Sequence, residues 1–271
     1  MTNSAGSMRY HSASVLSVDR YINDDDWVME QKLDGVRCAV TVNDDGIVSF
    51  STKSGVRHHP AIAAELGGLP GLAVDGELMA DGRLWLFDIT TVVSTDLTRE
   101  PQSVRRSYLE ALSPMLDMVG RARVHILPSA STTAAKRELW GKVIAQNGEG
   151  VVVKRRTGTY SRTNTRTRHV LKIKITQTVD CIVIEQSPTS VVLGLVKGDQ
   201  LIEVGGCSLI GREAVELGSV VEVEYLYVAS KETPRLVQPR IVRNRTDKKA
   251  MDCDVEQLDG ALTDRTVLLT H

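Results

Sequence analysis

Short β-prone runs separated by acidic–glycine turns constrain this chain more than any other feature. Trp27-Val28-Met29-Glu30 and Cys38-Ala39-Val40-Thr41-Val42 flank Asp34-Gly35. Asn43-Asp44-Asp45-Gly46 leads to a third run ending at Lys53, and Leu72–Met79 and Arg83–Thr91 flank Asp81-Gly82. Such turns reach positive φ at little cost and reverse a chain between neighbouring strands. The expectation is antiparallel sheet, with Asp34-Gly35 as the turn of a hairpin. Helical patterns interrupt it at Ala61–Leu66, ended by Gly67-Gly68, at Ser103–Val119, broken or kinked by Pro114, and at Thr132–Gln146. The last has Ser131 or Thr132 as a cap and Gly148 at its end. Arg123–Leu127, Gly150–Lys154 and Val170–Ile175 read as further strands.

Beyond Ile175 the character changes to Cys181–Glu185, Val191–Val196, Leu201–Val204, Val220–Val228 and Leu236–Val242, punctuated by Gly and Pro. Strands at this spacing predict a small barrel, with Gly211–Leu217 as one short helix. Four segments are expected: a disordered 1–12, a mixed domain over 13–176, an all-β domain over 177–249 and an acidic tail over 250–271. The fold class is α+β.

The chain of 271 residues is 42% hydrophobic and 25% charged, which is ordinary for a globular protein. It has no apolar run of 18 residues, and Met1–Met8 lacks the apolar core of a secretory leader. A cytoplasmic protein with no membrane partner is expected, with a monomer as the default. Cys38, Cys181, Cys207 and Cys253 are scattered without a C-x-x-C pair, which argues against a zinc site or a disulfide framework. Net charge is −1, but residues 151–175 carry eight Lys or Arg and no Asp or Glu. A basic stripe on a near-neutral protein marks a candidate nucleic-acid track. After Lys249 the balance reverses: Asp252, Asp254, Glu256, Asp259 and Asp264 face only Arg265.

Chemistry concentrates at Lys32-Leu33-Asp34-Gly35-Val36-Arg37, which sets an amine, a carboxylate and a guanidinium within six residues. Nearby cations lower a lysine's pKa and make it a nucleophile. Lys172, Lys174 and Arg37 could supply that field and neutralise a triphosphate. Asp75 and Glu149 offer hard oxygen ligands for a divalent cation. His58-His59 reads as a solvent-exposed pair rather than a metal site. Trp85 and Phe87 alternate along one strand and read as packing on pattern alone.

Seven short patterns follow in order. They are Lys32-x-Asp34-Gly35-x-Arg37, Ser51-Thr52-Lys53-Ser54-Gly55, Asp75-Gly76-Glu77-Leu78, Leu86-Phe87-Asp88-Ile89, Glu149-Gly150-Val151-Val152-Val153-Lys154, Leu171-Lys172-Ile173-Lys174 and Arg245-Thr246-Asp247-Lys248. The ordered set, over roughly residues 27 to 249, resembles the covalent nucleotidyltransferases, and within them the ATP-dependent DNA ligases. The resemblance implies an adenylation domain of antiparallel sheets with helices, followed by an OB-fold domain. It implies ATP as co-substrate with Mg2+ or Mn2+, and nicked duplex DNA as partner.

By that resemblance Lys32 attacks the α-phosphate of ATP to form lysyl-AMP, and Asp34 shapes its turn and contacts the reacting groups. Glu30 and Gln31 lie against the adenine, through side chain or backbone. Arg37 and Glu77 contact the ribose and Phe87 stacks on the base. Lys172 and Lys174 meet the phosphates, and Arg245 and Lys248 orient the leaving pyrophosphate. Lys53 stands where the family usually has Arg and lacks the bidentate fork. AMP then passes to a DNA 5′-phosphate, and a 3′-hydroxyl displaces it. The last four residues of the set serve only the first step, so a hinge near Ile175–Thr178 is implied. Arg155, Arg156, Arg162, Arg166 and Arg168 are expected to track DNA phosphates. The nearest alternatives are an mRNA-capping guanylyltransferase, which uses GTP, and an RNA ligase. From another class comes a decayed OB-type nucleic-acid binder, against which the intact Lys32, Glu77, Glu149, Lys172 and Lys174 argue. An NAD-dependent ligase is disfavoured by the missing cysteine zinc site.

Overall fold

The computed structural model describes residues 9–13, 15–55, 58–118, 120, 122–161, 166–210, 215–230, 232–259 and 261. They fall into two compact units, dividing between Lys174 and Ile175.

In the first unit, β1 (Arg9–Ala13), α1 (Val18–Ile22) and β2 (Trp27–Gln31) precede β3 (Val36–Val42) and β4 (Val48–Thr52). Then come α2 (Pro60–Leu66), β5 (Leu72–Leu78), β6 (Leu84–Val92) and β7 (Thr95–Asp96). α3 (Gln102–Ala111), α4 (Ser113–Met118), β8 (Val124–Ile126), β9 (Ser129–Ala130) and α5 (Thr133–Ala145) follow, and β10 (Gly150–Arg155) and β11 (Arg166–Lys174) complete it. Two sheets result. One has the order β1-β11-β10-β2-β9; the other runs β4-β3-β5-β6-β7 with β8 on β6. Pairing is antiparallel except for β1 with β11 and β8 with β6.

The turns at Gly46 and Gly82 take φ of 78° and 80° and close the hairpins β3–β4 and β5–β6 as expected. Asp34-Gly35 does not. β2 pairs with β10 and β9, whereas β3 pairs with β4 and β5, so this segment crosses between sheets. The reason is packing. Leu33 is buried, and a Cβ on Gly35 would lie 2.6 Å from the Leu78 carbonyl oxygen. A two-residue reversal leaves no room for that insertion. The helix expected over Ser103–Val119 splits at Leu112, because Pro114 cannot donate within a continuous helix. Thr132 caps α5 by accepting from the Ala135 N–H at 3.2 Å.

Disorder was expected through residue 12, and Arg9–Ala13 corrects it. Those residues form β1, completing the edge of β11, and Tyr10 packs against Val152, Tyr160 and Val170. Backbone pairing and an aromatic anchor outweigh a polar, uninformative sequence.

In the second unit β12 (Gln177–Gln186), β13 (Ser190–Lys197), β14 (Gln200–Ser208), β15 (Val220–Tyr225) and β16 (Arg240–Asn244) form one sheet, ordered β14-β13-β12-β15-β16. Register breaks at Val183/Glu185, Leu193/Gly194 and Glu222/Val223 curl it around a core of Val183, Leu193, Val204, Val221 and Val223. This is the five-stranded barrel that the spacing implied, and the class is α+β as expected. Val215–Leu217 is not helical, while 211–214 lie outside the described residues. The acidic tail packs as two single 3-10 turns, Ala250–Asp252 and Val255–Leu258, with Cys253 fully buried between them. All four cysteines are buried free thiols.

One buried cation fastens the first unit. Lys136 on α5 is fully buried, and its Nζ donates to the carbonyls of Tyr21, Asp24 and Trp27 at 3.0, 2.7 and 3.1 Å. It thereby ties the end of α1 to the start of β2. Lys136→Met keeps the stem and removes the donor these carbonyls share, leaving the Asp24 carbonyl only the Trp27 N–H at 3.2 Å. Leaving buried carbonyls without that donor is expected to cost roughly 2–4 kcal/mol, readable as a lower urea midpoint.

Candidate active site

Strand register builds the site. Glu30, Val152 and Lys172 stand in one row across β2, β10 and β11, and Gly150 pairs with Lys174. Directly paired residues point to one face, and i and i+2 share it. Lys154 and Lys174 therefore join Glu30, Val152 and Lys172. Lys32 extends β2 by one bond, its N–H reaching the Gly150 carbonyl at 2.9 Å. At Gly150 (φ 141°) a Cβ would lie 2.0 Å from the Ile173 carbonyl oxygen, so only glycine lets β10 approach β11 there.

That approach brings two ammonium groups onto Glu149. Lys32 Nζ pairs with its Oε2, and Lys174 Nζ with its Oε1 at 2.8 Å. The carboxylate is 3% exposed. Burial alone would raise its pKa, but the two lysines outweigh it and hold the group below the ordinary carboxylate range.

Sheet two supplies the opposite wall. Arg37 grips both oxygens of Asp75, through Nε at 3.0 Å and through Nη2, and the Tyr160 hydroxyl donates to Asp75 Oδ2 at 2.8 Å. Burial first, and then Asp75, push the Tyr160 phenol far up, so it stays a donor. Arg37 lies over the rings of Tyr10 at 5.0 Å and Phe87 at 5.7 Å. Glu77 accepts from the Gly35 N–H at 3.2 Å. Its carboxyl is pushed up to about 7 by burial, which nearby Lys32 offsets only in part.

A third group lies behind Phe87. Lys154 and Glu30 pair at 2.7 Å with both side chains 1% exposed, and Lys154 also donates to the Phe87 carbonyl at 2.6 Å. Arg105 forks onto Asp88 at 2.8 and 2.9 Å, fully buried. Trp85 stacks on His125 at 4.7 Å and is packing, as expected; His59 sits edge-on to Phe50 at 5.4 Å.

Lys32, Arg37, Glu77, Phe87, Glu149, Lys172 and Lys174 thus gather on facing surfaces of one unit. Asp34 is exposed in the crossing segment, and Lys53 is exposed in the turn after β4. Glu30 commits its carboxylate to Lys154, leaving Oε1 buried without a hydrogen bond. Gln31 is buried on the other face of β2. Asp75, expected to ligate metal, has both oxygens taken by Arg37 and Tyr160. The basic stripe divides. Lys154 is buried, Lys172 and Lys174 face the site, and Arg155 and Arg168 are exposed. Arg155 lies 3.6 Å from Asp26, and half-buried Arg156 reaches the Asp25 carbonyl at 3.5 Å. Arg162 and the Arg166 side chain lie outside the described residues.

Tyr10, Arg105 and Tyr160 escape sequence reasoning, being lone residues in unpatterned surroundings. Lys154 did carry a signal. It ends the unbroken apolar run Val151-Val152-Val153, the mark of a strand buried on both faces.

In the second unit Asp180 holds Arg245 Nη1 at 2.9 Å and Lys248 Nζ at 2.5 Å, one on each oxygen. Arg245 also forks onto Asp247 at 2.9 Å through Nε and Nη2.

Glu77 carries a pH prediction. Its folded pKa of about 7 exceeds the ordinary 4.5, so the folded state binds the extra proton between those values. Stability must fall as pH rises across that window and level off above it. Glu77→Gln removes the ionisation. Its melting temperature relative to the native chain should rise from pH 5 to pH 7.5 and then plateau; a pH-independent difference would contradict the shift.

Residues 81–174 match the family described as ATP dependent DNA ligase domain. No curated protein matches the sequence significantly. Among solved structures, "Pmar-Lig_PreS3" superposes with TM-score 0.65 at 20% identity, covering 89% of this chain and 68% of that one. A Lig E DNA ligase, titled for DNA binding with a minimal scaffold, gives 0.63 at 17% identity over 89% and 99%. The ligase domain of M. tuberculosis LigD gives 0.55 at 19% identity over 93% and 99%. At these identities the superpositions speak for fold, and the family match speaks for residues 81–174. Residues 81–174 of this chain thus resemble the ATP dependent DNA ligase domain, and over 89% of its length the chain shares the fold of these structures.

Proposed function

We propose that the chain seals nicks in duplex DNA through a lysyl-AMP intermediate on Lys32. The observation that carries this reading is the convergence of Lys32 and Lys174 on buried Glu149, beside Arg37, Glu77 and Phe87. The Lys32 amine loses its proton and attacks the α-phosphorus of ATP; the N–P bond forms and pyrophosphate leaves. A DNA 5′-phosphate oxygen then attacks that phosphorus and frees the amine. Finally the 3′-hydroxyl attacks the 5′-phosphorus and expels AMP.

Each residue takes a role that its surroundings permit. Lys172 and Lys174 meet phosphate oxygens, where charge must be neutralised during transfer. Phe87 and Val152 are apolar surfaces for the base, while Arg37 and Glu77 stand at the ribose. Arg245 and Lys248, on the second unit, take the pyrophosphate. Among the described residues no group of three His, Cys, Asp or Glu could hold a metal by itself. Mg2+ and Mn2+ bind nucleotide phosphates with the help of one or two carboxylates. Glu149 would fit once nucleotide phosphate draws Lys32 and Lys174 off its oxygens, with Glu77, also near Lys32, as a second donor, and the ion would neutralise phosphate charge. Asp75 is better read as the anchor of Arg37. Exposed Arg155 and Arg168 form the candidate phosphate track for DNA. No helix among the described residues is long and apolar enough to cross a membrane.

Label transfer is the direct test. After pyrophosphate treatment to strip bound AMP, incubation with α-labelled ATP and magnesium should leave label on the denatured protein, lost in Lys32→Ala. Label from GTP but not ATP, or from neither, overturns the reading. For the DNA track, Arg155→Gln with Arg168→Gln should weaken nick binding and reduce the salt slope by about 2. An unchanged slope would remove those residues from the interface.

A further inference from the structure

The acidic tail has a use that its composition conceals. Asp180 lies near the start of β12. β13 begins pairing with β12 only at Ile182, which leaves the peptide groups of Asp180 without that neighbour. Gln257 takes the place of one. Its Oε1 accepts from the Asp180 N–H at 3.2 Å, and its Nε2 donates to the Asp180 carbonyl at 3.2 Å. The same Nε2 also meets the carbonyls of Asp254 at 3.1 Å and Asp252 at 3.4 Å.

The tail is built to deliver that amide. Cys253 is fully buried, and its carbonyl accepts from the Val196 N–H at 2.7 Å, fastening the segment to β13. Asp252 accepts from the Lys249 N–H at 2.9 Å, and Asp254 from the Glu256 N–H at 2.7 Å. Two of the tail's acids therefore cap its own turns.

Above this clamp, Asp180 spends both oxygens on Arg245 and Lys248, with its side chain 8% exposed. Arg245 also lies 4.0 Å from Glu222, and Asp247, its bidentate partner, is 64% exposed. An incoming phosphate can displace the exposed carboxylate readily. The buried one, held by Gln257, keeps the two cations at a set spacing.

We propose that Asp180 and Gln257 are positioning residues for nucleotide activation, Gln257 fixing Asp180 and Asp180 orienting Arg245 and Lys248 for a pyrophosphate leaving group. This rests on the function proposed above. It assigns the C-terminal turn Val255–Leu258 to the first chemical step and to that step alone.

The test separates that step from the last. Gln257→Leu is close in size and loses the amide's hydrogen bonds, the two to Asp180 among them; Asp180→Asn keeps shape and loses the charge. Each is assayed in the full chain for label transfer from α-labelled ATP, and for sealing of a pre-adenylated nick without ATP. Label transfer should slow more than about tenfold, while sealing of the pre-adenylated nick stays within about twofold. Equal losses in both reactions would mean a purely structural role and overturn the proposal, as would unaffected label transfer. If the native chain itself takes no label, the ligase reading fails first, an outcome distinct from native labelling with indifferent variants.

Discussion

Glu149 carries one ammonium group on each oxygen, and the geometry of the first unit follows from making that contact possible. Lys32 and Lys174 lie 142 residues apart in sequence and would repel each other without it. Bringing them together requires β2, β10 and β11 in adjacent register, and that requires a residue without a Cβ at Gly150. A buried carboxylate is costly when unpaired and tolerable when each lone-pair direction meets a cation. Losing either lysine would therefore disturb both the pocket and the strand packing beneath it.

The same logic recurs behind the pocket wall. Lys154 with Glu30, and Arg105 with Asp88, are ion pairs withdrawn almost wholly from water. Replacing such pairs by apolar residues is often neutral for stability, so they do not explain why the unit is stable. Their geometry points instead to register. Lys154 joins β10 to β2 through Glu30 and to β6 through the Phe87 carbonyl, fixing the ring that would receive a base. A one-residue slip of β10 would carry Lys154 off this face and break its contacts to Glu30 and to the Phe87 carbonyl.

Much of this was legible in the sequence, and what was not has a common physical cause. The hairpins at Gly46 and Gly82, the split before Pro114, the Thr132 cap and the barrel after Ile175 depend on local chemistry, and each could be read locally. Asp34-Gly35 looked like a hairpin because its composition suits one; only the burial of Leu33 and the approach to Leu78 send the chain to another sheet. Arg9–Ala13 looked disordered because its pairing partner lies more than 150 residues away. The motif residues were legible as an ordered set. Their partners were not, since Tyr160, Arg105, Asp180 and Gln257 bear no periodic or spacing signal. The basic stripe misled in part because charge counts along a chain ignore the strand face on which each side chain sits.

The paired state of these cations bears on how phosphate would bind. Lys32 and Lys174 rest on Glu149, Arg37 on Asp75, and Arg245 and Lys248 on Asp180. None of these cations waits as a bare charge, so phosphate binding is an exchange of partners rather than a first neutralisation. Such exchange lowers the gain from simple attraction, because each cation gives up a carboxylate contact already made in low dielectric. In return it favours ligands that reach several cations at once, and a triphosphate does so where a lone phosphate does not. A divalent ion brought in with the nucleotide would strengthen the preference, with Glu149 as a residue that would hold it. Selectivity for an activated nucleotide can therefore arise from the resting ion pairs themselves, before any contact with the base is made.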